Sequence, residues 1–476
     1  MSSPWLKTPP TDIHREAISE AEVLPFWQTT LADRLPHAPL EQVIDADLCI
    51  VGGGYTGLWA ALYAKEQQPQ REVVVLEGMR CGSGASSRNG GFLNYSLTHG
   101  IENGHARFES EMGKIEQLAH ESFAGLHQDL ISYGFEDYAE YEATGELDVA
   151  LSAADAEALK ESVELYNESG TGSVYLDRDA VQAELNSPLF HGGAWQQQGA
   201  ALVNPARLVD GLRQAALRAG VVIHEHSQVN ELRKSKHGVD VISSSGIVHA
   251  AKVLLATSAY EPLDRTVKLF VAPVYDYALM TEPLTSEQLN SIGWKRRQGV
   301  GDCGNQFHYY RLSADNRILW GGFDAVYRYG GPVGPQYDGH EPTFLRLSQN
   351  FFTNFPQLEG VKFTHKWGGA IDTCSRFSVF FHRSHGGRVV YAGGYTGLGV
   401  GATRFGGRTG LDLLDGRSTE ATALALVRKR PVPFPPEPVR SGVIQLTRNR
   451  MAAEDRNGKR GLWLRTLDAA GLGFDS

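Results

Sequence analysis

The sequence predicts a mixed α/β fold (α+β overall), in which a Rossmann-like dinucleotide-binding domain is interleaved with a second domain built on an antiparallel sheet. A strand, a glycine-rich turn, a helix and a second strand follow one another over residues 45–78. Strand–helix pieces of the same kind recur much later in the chain. Residues 262–365 between them alternate strand-like runs with turns, which is typical of an antiparallel sheet. A chain of 476 residues, 42% of them hydrophobic, can bury the cores of two such domains.

The elements follow from local patterns in chain order. Residues 1–43 form an irregular leader, with Trp5 and Trp27 as expected anchors. NPARLVDGLRQAALRAG predicts a helix that Asn204 caps and Pro205 begins. The other predicted strands are ADLCIV, EVVVLEG, ELDVALS, VVIHEH, VDVISS, AAKVLLATSAY, VYDYALM, FHYYRL and RVVYAGG, and the other predicted helices are LWAALYAKEQ, residues 104–133, AADAEALKESVELYNES, TFLRLSQNFFTNF and ATRFGGRTGLDLLDG. The predicted division is a leader (1–43), dinucleotide-binding parts (44–138, 198–261 and 366–425), parts of the second domain (139–197 and 262–365) and a C-terminal tail (426–476).

Composition excludes some classes of function. The net charge of −10 makes nucleic acid an unsuitable partner. From Arg428 onward, ten Lys/Arg face five Asp/Glu, so the tail carries +5 and the rest −15. This tail either lies on the acidic body or meets an anionic partner or membrane surface. Four cysteines without a CxxC pair indicate a reducing compartment, and we predict no metal site. Without an apolar signal core or transmembrane segment, the chain is expected to be soluble and cytoplasmic.

The hexapeptide GGYTGL occurs twice, at 53–58 and 393–398. In the first copy, Gly52, Gly54 and Gly57 form GxGxxG between a strand and a helix. These glycines permit a tight turn, close approach to a pyrophosphate and close helix packing, with Tyr55 and Thr56 at the helix start. Glu77 ends the next strand, twenty residues after Gly57, where a carboxylate reaches a ribose hydroxyl. This motif predicts a dinucleotide site and does not distinguish FAD from NAD.

A second glycine-rich loop, CGSGASSRNGGF, favours FAD. It follows Glu77 closely, and the longer FAD needs backbone beside both its pyrophosphate and its ring. The hydroxyl, guanidinium and amide groups in this loop can donate hydrogen bonds to phosphate or flavin oxygens. The candidate residues of this loop are Gly84, Ala85, Ser86, Ser87, Arg88, Asn89, Gly90 and Gly91.

These motifs, with NPARLVDGLRQAALRAGVVI, KVLLATSAY and AGGYTGLGVGATRFGG, appear in the order found in a known family. From about residue 44 to 425 the chain resembles the FAD-dependent D-amino acid oxidase superfamily, nearest to its bacterial γ-glutamylputrescine oxidoreductase-like branch. The resemblance implies the glutathione-reductase-type FAD fold and a substrate domain on the antiparallel sheet. It also implies that Val229 contacts adenine through its backbone, that Ala256 and Thr257 lie beside the pyrophosphate, and that Gly394, Gly397, Leu398 and Gly399 lie near the flavin ring.

The second GGYTGL copy has two interpretations. Residues 397–402 fit GxGxxA after a strand, which taken alone indicates an NAD(P) site. Against this, no second strand with a terminal acid follows, because PVPFPPEP interrupts the chain. The resemblance instead implies that the helix N-terminus faces the pyrimidine end of the flavin and stabilises negative charge there.

The sequence departs from the family pattern near the flavin. Leu398 stands where relatives often have His, and TCSRFS lacks the Asp and Pro of a common preceding motif. Arg88 occupies a position where one group of relatives attaches the flavin through His, and Cys374 is close to, but not aligned with, the attachment Cys of another. We therefore expect non-covalent FAD.

The resemblance implies oxidation of a C–N bond by hydride transfer from a neutral amine to flavin N5, followed by imine hydrolysis. In FHYYRL, His308 and Tyr310 share one strand face, and Tyr309 and Arg311 share the other. We predict that the first pair faces the flavin; His308 either tunes the amine's protonation or is structural. Arg311 binds a carboxylate or forms an ion pair. Trp367 and Tyr395 are candidate pocket walls, and Arg404 is the candidate anchor for a substrate carboxylate or flavin oxygen.

The predicted function is an FAD-dependent amine or amino-acid oxidoreductase that acts as an oxidase, with oxygen reoxidising the flavin. One alternative is a dehydrogenase of the same fold with another acceptor, since some relatives place a Lys near N5 for oxygen activation and none can be placed here. Another is a structural or tailoring flavoprotein.

Overall fold

The computed structural model describes residues 4–6 and 8–472. In this part of the chain the strands are β1 (Glu22–Val23), β2 (Val43–Val51), β3 (Val73–Leu76), β4 (Phe92–Asn94), β5 (Glu146–Ala150), β6 (Val174–Leu176), β7 (Gly192–Gln196), β8 (Ala200–Leu202), β9 (Val222–His224), β10 (Val229–Lys234), β11 (Val239–Ser243), β12 (Ile247–Leu255), β13 (Ala272–Thr281), β14 (Gly299–Asp302), β15 (His308–Leu312), β16 (Ile318–Gly322), β17 (Val326–Tyr327), β18 (Phe363–Thr373), β19 (Phe380–Ser384) and β20 (Val389–Gly393). The helices are α1 (Asp12–Ile18), α2 (Phe26–Thr29), α3 (Tyr55–Gln67), α4 (Ile101–Phe108), α5 (Met112–Ser132), α6 (Ala153–Glu168), α7 (Arg178–Glu184), α8 (Pro205–Arg218), α9 (Ser286–Ile292), α10 (Glu341–Asn354), α11 (Gly399–Asp415), α12 (Glu420–Ala423), α13 (Ala425–Arg428), α14 (Val439–Asn457) and α15 (Leu462–Ala469).

The first large sheet is parallel at its centre. Strands β9, β3, β2, β12 and β20 lie side by side in that order and all run the same way. Strand β11 pairs antiparallel with β12, β10 pairs antiparallel with β11, and β19 pairs antiparallel with β20. The central strands are apolar and buried, as parallel strands covered on both faces are. Because they run the same way, the loops after β2, β3, β12 and β20 all leave the same edge of the sheet.

The second sheet is mostly antiparallel, with the order β1-β18-β13-β16-β15-β14-β5-β7-β6. Its long strands β13 and β18 pair over their whole lengths. Helix α10 packs on one face, where Phe344, Leu347 and Phe351 are fully buried. The opposite face borders the first sheet. The antiparallel sheet predicted for residues 262–365 is therefore confirmed, and β18 continues it beyond residue 365, where we predict a domain boundary.

The predicted elements around the first sheet occur close to the expected positions. Asn204 accepts a hydrogen bond from the Arg207 N–H and caps α8, with Pro205 in its first turn. The leader is held as expected, since Trp5 and Trp27 are both buried. The prediction that it is irregular is wrong, because it contains α1, α2 and β1, and β1 pairs with β18. The predicted helix over 104–133 begins earlier and is broken by a short 3-10 turn between α4 and α5.

The C-terminal tail forms two further helices, α14 and α15, which contact each other. None of the helices in the described part of the chain combines the length and apolar character that a membrane span requires.

Candidate functional site

A cavity of about 760 Å³ lies between the two sheets. On one side it is lined by the loops that leave the carboxyl ends of β2, β3, β12 and β20. On the other side it is lined by cavity-facing residues of β13, β15 and β18. Ligands of open α/β sheets bind at this edge, so the cavity is the candidate site.

The first GGYTGL copy forms the turn between β2 and α3. Gly52 has φ +110°, and a Cβ there would overlap the carbonyl of Ala256 at the end of β12. A Cβ at Gly57 would overlap the Gly52 carbonyl, so α3 can begin this close to β2 only with glycine there. The N-terminus of α3 lies at the cavity, where its positive dipole end favours an anion.

Glu77 organises the same turn from the end of β3. Its carboxylate accepts hydrogen bonds from the Gly53 N–H (2.8 Å) and the Met79 N–H (2.9 Å). Burial raises the pKa of Glu77, and these backbone N–H groups oppose the shift by stabilising the carboxylate. Glu77 and Val229 both line the cavity, and contact of the Glu77 carboxylate with a ribose stays a prediction.

The second glycine-rich loop folds against the first. Ser86 Oγ accepts a hydrogen bond from the Tyr55 N–H at the start of α3. Arg88 is anchored to the other sheet: it donates to the Gly368 carbonyl (3.0 Å) and pairs with Asp338 (2.7 Å). Trp367 Nε1 donates back to the Arg88 carbonyl. The loop therefore connects the two sheets across the cavity.

The two GGYTGL copies meet in space. Thr56 Oγ1 of the first copy and the Tyr395 hydroxyl of the second lie 2.8 Å apart and both are buried. The second copy connects β20 to α11, and within residues 4–6 and 8–472 no strand follows α11. It therefore does not open a second βαβ unit, and both copies border one cavity.

Asp372 shapes the loop of the second copy and was not singled out from the sequence. Its carboxylate accepts a hydrogen bond from the Gly394 N–H (2.7 Å), with Tyr395 and Thr396 N–H groups also directed at it. Burial raises its pKa to about 6. The sequence signal for Asp372 was a lone acid in the otherwise uncharged run WGGAIDT. It lies directly before TCSRFS, the segment that lacks the Asp of the family motif.

Most predicted cofactor residues line the cavity. Four of them do not line it. Gly57 and Gly91 are positions where a Cβ would overlap neighbouring backbone. The Ser87 hydroxyl donates to the Gly82 carbonyl, and the Gly394 N–H donates to the Asp372 carboxylate. Those that line it are Gly52, Gly54, Tyr55, Thr56, Glu77, Gly84, Ala85, Ser86, Arg88, Asn89, Gly90, Val229, Ala256, Thr257, Gly397, Leu398 and Gly399.

These residues fit a long dinucleotide. The cavity joins Val229 and Glu77 at one end to Gly90 and Leu398 near the antiparallel sheet. A Cβ at Gly90 would come within 2.8 Å of the Tyr309 ring, so backbone there already lies against an aromatic wall. A second glycine loop of this kind is what a flavin ring beyond the pyrophosphate requires. Direct contacts of the individual residues remain predictions.

The predicted catalytic residues divide into two groups. Trp367 and Tyr395 line the cavity, as expected of pocket walls. The prediction that His308 and Tyr310 face it is wrong, because both point to the α10 side of the sheet. His308 Nδ1 lies 2.8 Å from Asp302 and its Nε2 lies 3.0 Å from Asn350 of α10. Tyr310 is fully buried among aromatic side chains of the same core.

Arg404 is also placed away from the cavity. Its Nε donates to Asp129 of α5 (2.7 Å), and the side chain is largely buried between α5 and α11. The prediction of an anion anchor is therefore wrong, because the guanidinium already has a carboxylate partner. Arg311, on the same face as Tyr309, donates to the Val203 carbonyl (2.7 Å) and lies near the Gly91 carbonyl, so it braces the second glycine loop.

Within FHYYRL, Phe307 and Tyr309 line the cavity, and Tyr309 carries the polar group there. Its hydroxyl donates to Asp276 Oδ2 on β13 at 2.6 Å. The sequence signal for Asp276 was a lone acid in the aromatic and apolar run VYDYALM. Neither residue was selected, because alternation in a strand identifies two faces without saying which one borders the cavity.

The C-terminal tail closes the cavity from outside. Residues 432–435 and apolar side chains of α14 and α15 line it. Arg448 of α14 pairs with Asp324, and Asp455 accepts hydrogen bonds from the N–H groups of Asn305 (3.0 Å) and Gln306 (2.9 Å). We call residues 432–472 the roof. It covers the antiparallel-sheet end of the cavity.

Cys374 and Leu398 both line the cavity. Cys374 is a buried free thiol with its Sγ near the Ser378 and Gly394 carbonyls, and burial raises its pKa. Such a thiol is a weak nucleophile, which favours non-covalent cofactor binding.

Comparison with known proteins gives consistent results. The family model described as FAD dependent oxidoreductase (DAO) matches residues 47–412. The chain is 30% identical over 408 residues to γ-glutamylputrescine oxidoreductase of Escherichia coli K12, covering 84% of this chain and 90% of that protein. It is 29% identical over 384 residues to a probable oxidoreductase, OrdL, of Haemophilus influenzae, covering 78% of this chain and 83% of that one.

Among solved structures, glycine oxidase from Geobacillus kaustophilus matches with a TM-score of 0.65 at 19% identity, covering 80% of this chain and 97% of that one. Iminodiacetate oxidase from Chelativorans sp. BNC1 also matches with a TM-score of 0.65, at 16% identity, covering 81% and 98%. At these identities the likeness supports the fold, and the α/β class and interleaved sheets predicted from the sequence are confirmed.

Proposed function

Because the chain belongs to the DAO family of FAD-dependent oxidoreductases, we propose that it oxidises a carbon–nitrogen bond of an amine or amino acid. One observation carries this proposal. A single cavity joins a dinucleotide cradle to an aromatic wall that contains a buried carboxylate, Asp276. The cradle suits FAD and the wall suits an organic amine.

Bound FAD supplies the two-electron acceptor, to which the α-carbon of the amine delivers a hydride. The protein's own residues orient the substrate and exclude water. Trp367 and Tyr309 provide apolar walls, and the roof covers the antiparallel-sheet end. A mostly apolar site under the roof also favours the neutral form of an amine, because desolvation penalises its charge. The neutral form is the one with a nitrogen lone pair available to form the C=N bond.

For the substrate we propose a γ-glutamylputrescine-like amine or an N-substituted amine. The relative that is 30% identical over most of both chains carries γ-glutamylputrescine in its name. A cavity roofed by α14 and α15 also extends beyond the two glycine loops, which provides room for a substrate longer than a simple amino acid. We further propose that the FAD is held non-covalently and that the chain works in the cytoplasm.

For the electron acceptor we propose molecular oxygen. The rival is a dehydrogenase that passes electrons to another acceptor. One observation favours this rival: no lysine of the described residues lines the cavity. Adding a substrate amine in air should release peroxide in step with amine consumption if oxygen is the acceptor. Absent peroxide, with turnover restored by an artificial quinone, would support the dehydrogenase.

The decisive experiment follows the flavin absorbance of the purified protein without oxygen. Polyamines, γ-glutamyl amines, N-methyl amino acids and D-amino acids are added one at a time. We expect at least one γ-glutamyl or N-substituted amine to bleach the visible band and the corresponding aldehyde or keto acid to appear. Quaternary ammonium analogues, which have no lone pair on nitrogen, are the matched control. A band that no amine bleaches would contradict the proposal and favour a structural role for FAD.

A further inference from the structure

We propose that Asp276, held by Tyr309, binds the ammonium group of the substrate and accepts its proton before oxidation. This inference rests on the proposed amine-oxidising function and deepens it by naming the group that recognises the amine. The chemical class it selects is an amine that arrives as a cation.

The position of Asp276 supports this role. It lies on β13, where its side chain lines the cavity although the residue is well inside the protein. Its Oδ2 accepts the Tyr309 hydroxyl and its Oδ1 accepts the Tyr277 N–H (2.8 Å). Across residues 4–6 and 8–472 it forms no ion pair with Lys, Arg or His. A carboxylate buried without a cation is costly, so a cationic ligand is its natural partner.

Tyr309 reaches Asp276 only because the strand between them carries glycine. Strand β16 separates β13 from β15, and on it Gly321 pairs with both Ala278 and Tyr309. A Cβ at Gly321 would come within 2.5 Å of Tyr309 Cζ. The ring therefore crosses β16 over Gly321 and places its hydroxyl on Asp276. The pair is held by the backbone of three adjacent strands.

Other carboxylates, among them Glu146 and Asp324, also line the cavity, and Asp276 is the one that the Tyr309 hydroxyl holds. Asp324 is the nearby like charge that raises its pKa, and Tyr309 and the Tyr277 N–H lower it. Arg88, the guanidinium of the second glycine-rich loop, is engaged by Asp338 and by the Ser83 and Gly368 carbonyls. Burial is the largest influence and raises the pKa of Asp276 to about 6.

This environment makes proton transfer from an ammonium group feasible. In water an alkylammonium and a carboxylic acid differ by about six pKa units. Burial raises the pKa of the acid and lowers that of the amine, so the two converge within the closed cavity. At neutral pH the carboxylate of Asp276 is therefore both a counter-ion for the arriving cation and a base for its proton.

The step balances in atoms and electrons. An N–H bond of the ammonium breaks, an O–H bond forms on Asp276, and no electron pair leaves the amine. The neutral amine is the form from which bound FAD would accept a hydride at the α-carbon, with the nitrogen lone pair forming the C=N bond. Water adds to the iminium and yields the carbonyl compound and ammonium or a smaller amine.

The test compares Asp276→Asn and Tyr309→Phe with Asp148→Asn in the FAD-loaded protein. Asp148 is a buried carboxylate of raised pKa on the same sheet that does not line the cavity. The binding probe is tert-butylamine, which has no α-hydrogen and cannot be oxidised; tert-butanol is its neutral counterpart. Affinities are measured by calorimetry in buffers of different ionisation enthalpy, which also counts protons released.

We expect Asp276→Asn to weaken tert-butylamine binding at pH 7.5 by about 10–100-fold, the range for a hydrogen bond to a charged group. The affinity of Asp276→Asn for tert-butanol should be unchanged. The affinity of the control variant Asp148→Asn for tert-butylamine should also be unchanged. With an oxidisable amine, kcat/KM of Asp276→Asn should fall by about 10²–10⁴-fold at pH 7.5. This deficit should shrink as the pH approaches the amine's own pKa, near about 10.4, because neutral amine then binds directly.

Tyr309→Phe provides a second test that leaves the carboxylate in place. Since the phenol lowers the pKa of Asp276, its removal should raise that pKa and move the acid limb of kcat/KM to higher pH. Unchanged tert-butylamine affinity in Asp276→Asn, or a kcat/KM deficit equal at all pH values, would overturn the inference. Failure of the proposed function is a different result: no amine would bleach wild-type flavin, whatever Asp276 does to tert-butylamine binding.

Discussion

The contact between the two GGYTGL copies allows a quantitative test of the site. Thr56 Oγ1 and the Tyr395 hydroxyl are 2.8 Å apart, and both residues are less than one-tenth exposed. We consider Thr56→Val and Tyr395→Phe, which each delete one hydroxyl while nearly preserving side-chain shape. Each single variant leaves the other hydroxyl buried without its partner, whereas the double variant leaves none.

The expected magnitudes follow from this asymmetry. A buried polar group without its partner costs about 1–3 kcal/mol, while replacing both partners by apolar groups of similar shape is nearly neutral. Each single variant should therefore lower the free energy of unfolding by about 1–2 kcal/mol. The double variant should cost no more than one single variant, so the coupling free energy should be about 1–2 kcal/mol.

The assay is urea unfolding of the apoprotein, followed by intrinsic fluorescence, on the wild type and the three variants. FAD affinity is measured in parallel by flavin fluorescence quenching, because the pair holds the α3 N-terminus to the second loop. Single-variant effects that add within about 0.5 kcal/mol would refute the reasoning, since independent sites are additive to that level. They would mean that the two hydroxyls find other partners and that the copies do not support each other.

Four further outcomes are expected. Gly52→Val should abolish FAD binding, measured by the flavin absorbance of purified protein, because a Cβ at φ +110° overlaps the Ala256 carbonyl. Glu146→Gln should stabilise the protein above about pH 7 and have no effect below about pH 4. Burial raises the pKa of Glu146 to about 7, whereas in the unfolded state this carboxyl loses its proton near about pH 4. The free energy of unfolding of the wild type therefore falls as the pH rises between these two values. Urea unfolding at pH 4, 6 and 8 checks the sign of the effect. Arg448→Ala should raise KM more than it lowers kcat, because it loosens the roof at Asp324, and protection of α14 from hydrogen exchange should fall with it. Acid precipitation of both the wild type and Cys374→Ser should release all flavin into the supernatant; flavin retained only by the wild type would show a thioether.

Local patterns were sufficient for much of this fold. The glycine spacing at 52–57, Glu77 at the end of the next strand and the apolar strand runs each depend on a few adjacent residues. Backbone conformation and side-chain periodicity act over that range, so a linear pattern predicts them. For the same reason the capped start of α8 at Asn204 was predictable.

The face of β15 was not predictable in this way. Alternation correctly separated His308 and Tyr310 from Tyr309 and Arg311, but α10, more than thirty residues later, decided which pair became core. Similarly, Arg404 was wrongly predicted to anchor a substrate carboxylate or a flavin oxygen, because its partner Asp129 lies on a helix 275 residues earlier. A partner brought in by packing leaves no trace in the local pattern.

The sequence by itself therefore determined the class of cofactor, the βαβ unit that begins its cradle and the interleaved order of the two sheets. Only the tertiary structure decided that both GGYTGL copies meet at one cavity, that Tyr309 and Asp276 rather than His308 and Tyr310 line it, and that residues 432–472 cover it. The physical reason is range. Glycine conformation, helix capping and strand alternation are set by neighbours in the chain, whereas the exposure and partners of a side chain are set by whichever distant element packs against it.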